Sequence, residues 1–374
     1  MIKHIDLNRG RISVSVKNHH EAWDLDSLLD FAERINPKRA FLFVSKVLGK
    51  HIPVKPSIMK QSYESLITLI PNNLPRPLTV VGMAETAVCL GGGVYRELKE
   101  TYGSDAVFVT TTRHPEKELP ILSEFVEEHS HAKDQLIYGS NEPEIQKKIL
   151  ESRTLILIDD EISTGKTFKN LIKSLVSTNL KNIERIVLVS LVNWNDGNLE
   201  DTYLNIPIET VALINGNWEW IPNNTPMSQE MPKVDTTAQG EFEIIAPTEW
   251  GRKPSYLDIQ SQFNLEPLKP NEKILVLGSG EYLWVPFLIA EQLESKGAEV
   301  YFSSTTRSPI MQGQAINSIC TFKDNYGLGI INYAYNVKDK EFDRVLLAIE
   351  TPKSSIDPTL FKEIKNLEII SYDC

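Results

Sequence analysis

The chain has 374 residues, 41% hydrophobic and 24% charged, with a net charge of -11. That length predicts two domains or three with ample core-forming residues, and the acidic balance argues against a nucleic-acid partner, because non-specific binding rests on basic patches. Cys89, Cys320 and Cys374 show no zinc-ligand spacing and fit a reducing cytoplasm, and no signal peptide or membrane-length apolar run is read.

Residues 1–75 are mixed. Leu25, Leu28, Leu29 and Ala32 in "LDSLLDFAERI" share a helical face, and the apolar "RAFLFVSKVLG" fits strand or helix. From about residue 78 the pattern becomes α/β. "LTVVG" reads as a buried strand, "TAVCLGGGVYRELKETYG" as a helix, and "DAVFVTTTR" and "TLILIDD" as the next two strands. "TFKNLIKSLVSTNL" places Phe168, Leu171, Leu175 and Val176 on one helical face, and "IERIVLVSLVNW" is another strand. Such alternation predicts a parallel sheet flanked by helices. Residues 223–241, polar and proline-bearing, are the expected linker between a domain at 1–222 and a second α/β domain at 242–374. The second domain runs through "KILVLGSGE", "AEVYFSSTTR", "DRVLLAIE" and "LEIISYD".

The two halves align. Gly82 matches Gly278, Glu85 matches Glu281, and Thr111-Thr112-Arg113 matches Thr305-Thr306-Arg307 after a two-residue gap. Each half returns to an apolar run ending in acid, "LILIDDE" against "VLLAIET". Ordered matches at similar spacing predict a diverged internal duplication.

One nucleotide motif is excluded and a second is weak. The GKT at 165–167 lacks the first glycine of a P-loop, since residue 160 is Asp. "GSGEYL" at 278 has Leu283 where a dinucleotide fingerprint needs its third glycine. Asp159 and Asp160 instead stand where a parallel strand ends, the edge at which open α/β sheets bind ligands. Carboxylates only accept hydrogen bonds and so suit vicinal hydroxyls. Thr164 to Thr167 precede a helix, where free N–H groups and hydroxyls bind anions. Diol acceptors and a phosphate cradle one sugar apart describe ribose 5-phosphate; the alternative is an acid and turn that only cap the helix.

"LILIDDEISTGKT" resembles the signature by which type I phosphoribosyltransferases bind phosphoribosyl pyrophosphate (PRPP), with Glu161 where an apolar or small residue is usual. "VVGMAETA" resembles the family's pyrophosphate loop, and "TTRSP" resembles the TRSP domain that follows phosphoribosyltransferase domains in bacterial tellurium-resistance-type gene clusters. The resemblance implies a phosphoribosyltransferase-type sheet, PRPP as donor with Mg²⁺, and a base-like small-molecule acceptor. It implies that Asp159 and Asp160 hold the ribose hydroxyls, with the metal reached mainly through those hydroxyls or water. Ser163, Thr164, Gly165, Lys166 and Thr167 would cradle the 5′-phosphate. Met83, Ala84, Glu85 and Thr86 would form the pyrophosphate loop and Arg113 a clamp on the leaving group. Glu85 either meets Mg²⁺ through water or caps the following helix. A lid over about 114–140 would bring His129, His131 and Lys133, with His131 counted among the catalytic groups. Trp194 is a candidate platform for the acceptor base or else core filling, and Lys38, Arg39 and Lys46 are weaker acceptor candidates in a hood at 1–75.

In the second half Glu350 stands near the acid position with no following cradle, so no second PRPP site is expected. Arg307 and Glu281 there are read as binding phosphate or acceptor, or as stabilising a domain interface. The leading expectation is a cytoplasmic transferase in stress-linked nucleoside-like metabolism, plausibly dimeric. The alternatives are a non-catalytic PRPP or nucleotide sensor, and a hydrolase or phosphorylase using the same ribose site.

Overall fold

A computed structural model describes residues 2–36, 39–125, 135–195, 201–223, 225, 240–259 and 267–373. Most of the expected linker at 223–241 lies outside them.

The first half opens with strands β1 (Ile2–Leu7) and β2 (Gly10–His19), a four-residue helix α1 (Leu25–Leu28), strands β3 (Leu29–Glu33) and β4 (Phe41–Ser45), and helix α2 (Pro56–Leu69). The helix expected over "LDSLLDFAERI" is therefore one turn, started by an Asp24–Ser27 capping box, that gives way to a strand. Phe31 of β3 pairs with Phe43 of β4, and this long-range pairing overrides a spacing that also fits a helix. Then come β5 (Leu78–Gly82), α3 (Val88–Tyr102), β6 (Ala106–Thr110), the hairpin β7 (Ile121–Phe125) and β8 (Gln135–Tyr138), and α4 (Pro143–Leu150). They are followed by β9 (Thr154–Ile158), β10 (Glu161–Ile162), α5 (Lys166–Thr178), β11 (Arg185–Asn193), β12 (Thr202–Tyr203) and β13 (Ile206–Pro222).

These build a nine-stranded sheet with the path β1-β2-β13-β11-β9-β5-β6. From β13 to β6 it is parallel, but β1 and β2 add antiparallel strands at one edge, so the sheet is mixed rather than wholly parallel as expected. Strands β5, β6 and β9 are buried along their whole length, as a sheet covered on both faces requires. Gly82, Thr110 and Ile158 end these three strands in register. Their next residues, Met83, Thr111 and Asp159, consequently emerge at one carboxyl edge.

The second half contains β14 (Lys273–Gly278), α6 (Trp284–Ser295), β15 (Glu299–Ser304), the hairpin β16 (Ile319–Lys323) and β17 (Ile331–Tyr335), β18 (Arg344–Ala348), α7 (Leu360–Glu363) and β19 (Leu367–Ile370). Its sheet is parallel in the order β15-β14-β18-β19. The first half runs β6-β5-β9-β11 through the corresponding strands.

The main hydrophobic cluster passes through both halves, from Leu7 to Ile370. Helices α3 and α6 meet at Gly92, where a Cβ would come within 2.6 Å of the Trp284 ring. A glycine inside a helix costs about 1 kcal/mol against alanine; here it lets an indole lie on the helix. Beside that contact Arg96 makes a bidentate pair with Glu291, at 2.7 and 2.9 Å.

Candidate functional site

The acid pair follows β9 directly. The Asp159 N–H donates to the Val189 carbonyl at 3.0 Å, and the Asp160 N–H donates to Asp159 Oδ1 at 2.9 Å. Asp160 is half-buried, and burial, followed by the charge of Glu161, pushes its carboxyl up to about 6. Glu161 takes two hydrogen bonds from Arg39, at 2.8 and 3.1 Å, and that guanidinium lies 4.9 Å from the Phe41 ring centroid. The unusual acid at 161 thus has a dedicated partner from the N-terminal segment.

Five residues beyond Asp160, Gly165 adopts φ 73° and opens α5. A left-handed turn here favours glycine, and it leaves Thr164 and Lys166 exposed. The first turn of α5 carries no acid and no side-chain cap, so neither aspartate caps this helix. A helix start of this kind, with backbone N–H groups and the positive dipole end facing outward, is one that can receive an anion. Asn195, just after β11, donates from Nδ2 to the Ser163 carbonyl at 2.9 Å and ties this turn to the neighbouring strand end.

The loop after β5 lies alongside. The Met83 N–H donates to the Ile158 carbonyl at 2.9 Å, and the Ala84 N–H donates to Thr111 Oγ1 at 2.9 Å. The Ala84–Glu85 peptide is cis. Glu85 receives Lys50 Nζ at 3.1 Å and Arg307 Nε at 3.0 Å. Burial pushes the Glu85 carboxyl up, but Lys50, Arg307 and Arg113 together hold it below the usual carboxylate range. The following helix has Ala87 at its N-cap without a side-chain hydrogen bond, so Glu85 is not its cap. Lys50, 3% exposed, also donates to the Thr305 carbonyl at 2.9 Å.

The turn after β6 meets the other half. The Thr112 hydroxyl donates to Glu281 Oε2 at 2.5 Å and the Arg113 N–H to Glu281 Oε1 at 2.8 Å. The contact is reciprocal, because Glu85 of the first half is held by Arg307 of the second. Local details also repeat. Thr111 and Thr305 donate their N–H groups to Gly82 and Gly278, and their hydroxyls accept from Ala84 and Gly280. Thr112 bridges to Leu136 in one hairpin, and Thr306 bridges to Tyr333 in the other.

The strand-end acid is where the halves part. Glu350, after β18, is fully buried and takes a bidentate pair from Arg252, both bonds at 2.8 Å, and the Tyr326 hydroxyl at 2.7 Å. Arg252 is itself fully buried and lies 3.6 Å from Glu281.

A family model described as phosphoribosyl transferase matches residues 28–217, and one described as the TRSP domain C-terminal to that domain matches 257–363. The chain belongs to the phosphoribosyltransferase family. No curated protein matches it. Among solved structures, the adenine phosphoribosyltransferase of Rhodothermus marinus DSM 4252 aligns at 16% identity and TM-score 0.31, covering 50% of this chain and 94% of that one. The Trypanosoma brucei adenine phosphoribosyltransferase aligns at 13% identity and TM-score 0.33, covering 50% and 76%. A Staphylococcus aureus hypoxanthine phosphoribosyltransferase gives 16%, TM-score 0.25, and coverage of 44% and 77%. Likenesses this distant carry no functional argument.

Within this member of the family the predicted residues divide. Asp159, Asp160, residues 163–167, the 83–86 loop and the Thr111–Arg113 turn all emerge at one sheet edge. His129, His131 and Lys133 lie outside the described residues, as does Lys38; the hairpin that brackets the first three is anchored where Gln135 donates to the Ala84 carbonyl at 3.3 Å. Trp194 is buried and stacks on Phe43 at 4.8 Å, so core filling is the reading its position supports. Lys46 turns to the Asp26 carbonyl. Sequence reasoning passed over Lys50, whose signal was a lone charge in the apolar run "VLGKHIPV", and Arg252, a cation in the short segment "EWGRKPS".

Proposed function

We propose that the protein transfers ribose 5-phosphate from PRPP to a nitrogenous, base-like acceptor and releases pyrophosphate. The observation that carries this reading is the shared carboxyl edge, where two half-buried carboxylates, a glycine-opened helix start and a cation-rich loop stand together. In the reaction the acceptor nitrogen forms a bond to the anomeric carbon as the bond to pyrophosphate oxygen breaks. The leaving oxygen keeps that electron pair, and the nitrogen loses its proton. Asp159 and Asp160 accept from the ribose hydroxyls, residues 163–167 hold the 5′-phosphate, and the 83–86 loop with Arg113 orients the pyrophosphate.

The donor set fits Mg²⁺, which takes one or two carboxylates together with substrate oxygens rather than a full protein cage; reached from Asp159 and Asp160 mainly through the ribose hydroxyls or water, it would neutralise charge on the leaving pyrophosphate. The lid expected around His129, His131 and Lys133 would exclude water from the anomeric centre. The sparse cysteines support a cytoplasmic setting, and resemblance to tellurium-resistance-type clusters supports a stress-linked acceptor. We also read the second half as a degenerate copy of the first, supported by the shared strand order and repeated turn.

A PRPP sensor is the second reading. Its support is Glu85, which already neutralises part of the cationic cluster. A panel of bases and amines assayed for PRPP-dependent pyrophosphate release separates the two. For the site itself, Asp159→Asn/Asp160→Asn abolishes calorimetric binding of Mg²⁺-PRPP while circular dichroism is unchanged; undiminished affinity refutes the assignment.

A further inference from the structure

We infer that Arg307, from the C-terminal half, is a pyrophosphate-binding residue of the N-terminal site, and that Glu85 is an internal anion competing for it. The inference rests on the proposed PRPP reading and adds a ligand that the first half's own sequence does not contain.

Two arginines, Arg252 fully buried and Arg307 half-buried, show the difference between structural and ligand-directed cations. Arg252 spends its donors inside the protein: Nη1 and Nη2 bond Glu350 at 2.8 Å, and Nε lies 3.3 Å from Thr112 Oγ1. Arg307 is 15% exposed, and among the described residues its hydrogen bonding is confined to Nε, 3.0 Å from Glu85 Oε1. Its two terminal nitrogens therefore have N–H groups to give. A guanidinium carries five donors in a fork that matches phosphate oxygens, and a half-used fork fixed beside the 83–86 loop is placed to bind one.

The fork is held in position from several sides. Thr305 accepts Lys50 through its carbonyl, and its hydroxyl accepts the Gly280 N–H. Thr306 is bridged to Tyr333 and its Oγ1 accepts from the Ser308 N–H at 3.2 Å. Lys50 and Arg307 grip opposite oxygens of Glu85, and Arg113 adds its field to the same carboxylate. A diphosphate carries more charge and more acceptor oxygens than one carboxylate, so it outcompetes Glu85 for these cations, and the carboxylate sets the affinity threshold. If Arg307 were only an interface tie, Glu85 and Arg307 would be interchangeable halves of one ion pair. If it is a ligand, removing one or the other has opposite effects on pyrophosphate.

The test titrates the full chain with inorganic pyrophosphate plus Mg²⁺, and separately with ribose 5-phosphate, in calorimetry. Arg307→Gln is expected to weaken pyrophosphate at least tenfold and leave ribose 5-phosphate within twofold. Glu85→Gln is expected to tighten pyrophosphate severalfold. Equal weakening in both variants, or pyrophosphate affinity within twofold of the parent in a folded Arg307→Gln, overturns the inference while leaving the PRPP reading intact. Ribose 5-phosphate that fails to bind the parent chain, with pyrophosphate still lost in Arg307→Gln, overturns the PRPP reading and sustains the anion site. Pyrophosphate that fails to bind the parent overturns the inference. Should Arg307→Gln not fold, Glu85→Gln decides alone: tighter pyrophosphate sustains the inference, and unchanged or weaker binding overturns it.

Discussion

Replacing Arg252 with Met keeps the apolar stem and removes the guanidinium. Arg252 and Glu350 are both fully buried, and Glu281 is 1% exposed. The substitution leaves the buried Glu350 carboxylate with the Tyr326 hydroxyl in place of its ion pair and removes a cation 3.6 Å from Glu281. Removing one partner of a buried pair costs about 3–5 kcal/mol, because the remaining charge is uncompensated. With unfolding entropy near 2 cal/mol/K per residue over this chain, a loss of about 4 kcal/mol lowers Tm by roughly 5 °C if the halves melt together. Denaturant melts at pH 8 should show the deficit. Arg252→Met/Glu350→Gln removes both charges and should recover part of the loss. A deficit below about 1 kcal/mol at pH 8 refutes the claim that these buried contacts pin the second half, and so does a double variant less stable than the single.

Asp160 should act in the opposite sense. Its folded-state carboxyl sits at about 6, above the ordinary value of 3.8, so its charge costs stability above pH 6 and nothing below the unfolded value; Asp160→Asn should gain at most about 3 kcal/mol at pH 8, with a smaller gain at pH 5.5, and an unchanged melt at both refutes the shift. PRPP affinity should fall as pH drops through about 6 in the parent, where the carboxyl becomes protonated; a pH-independent affinity from 7.5 to 5.5 counts against Asp160 as a hydroxyl acceptor. Calorimetric stoichiometry should be one PRPP per chain, since Arg252 and Tyr326 occupy the acceptor capacity of Glu350; two per chain refutes the degenerate-copy reading.

What the sequence made legible is what neighbouring residues decide. Four apolar residues, two acids and a glycine before a helical stripe each report on the next few positions, and β9, the acid pair and α5 stand where that pattern placed them. The antiparallel edge was missed although "RISVSV" alternates apolar and polar, which reads as a half-buried strand. The triple glycine at 91–93 was read through as helix; its meaning lies in what approaches it, and Trp284 sits far along the chain. Contacts set by tertiary placement had no local signature. Arg307 and Glu85 are separated by 222 positions, and Arg252 and Glu350 by 98. Nothing in "EWGRKPS" says that its cation will be buried.

On the proposed reading of the second half as a degenerate copy, the reciprocal contact bears on why that half would lose its chemistry and keep its arginine. In a two-fold interface, residue i of one copy meets residue j of the other, and j meets i. Glu85 with Arg307, and Glu281 with the Arg113 N–H, is that relation inside a single chain. On the duplication reading the TRSP half occupies the place of a second subunit, and each half's Thr-Thr-Arg turn serves the loop of the other. Loss of ligand binding in the second half removes any demand on Glu281, Glu350 and the donors facing them, and those groups close on one another through Arg252. It leaves intact the demand on Arg307, because that residue faces the site that kept its acid pair and cradle. The pairing pattern fits this asymmetry: Arg252 at the second edge is spent on buried carboxylates, while Arg307, beside the retained edge, is bonded through Nε alone among the described residues.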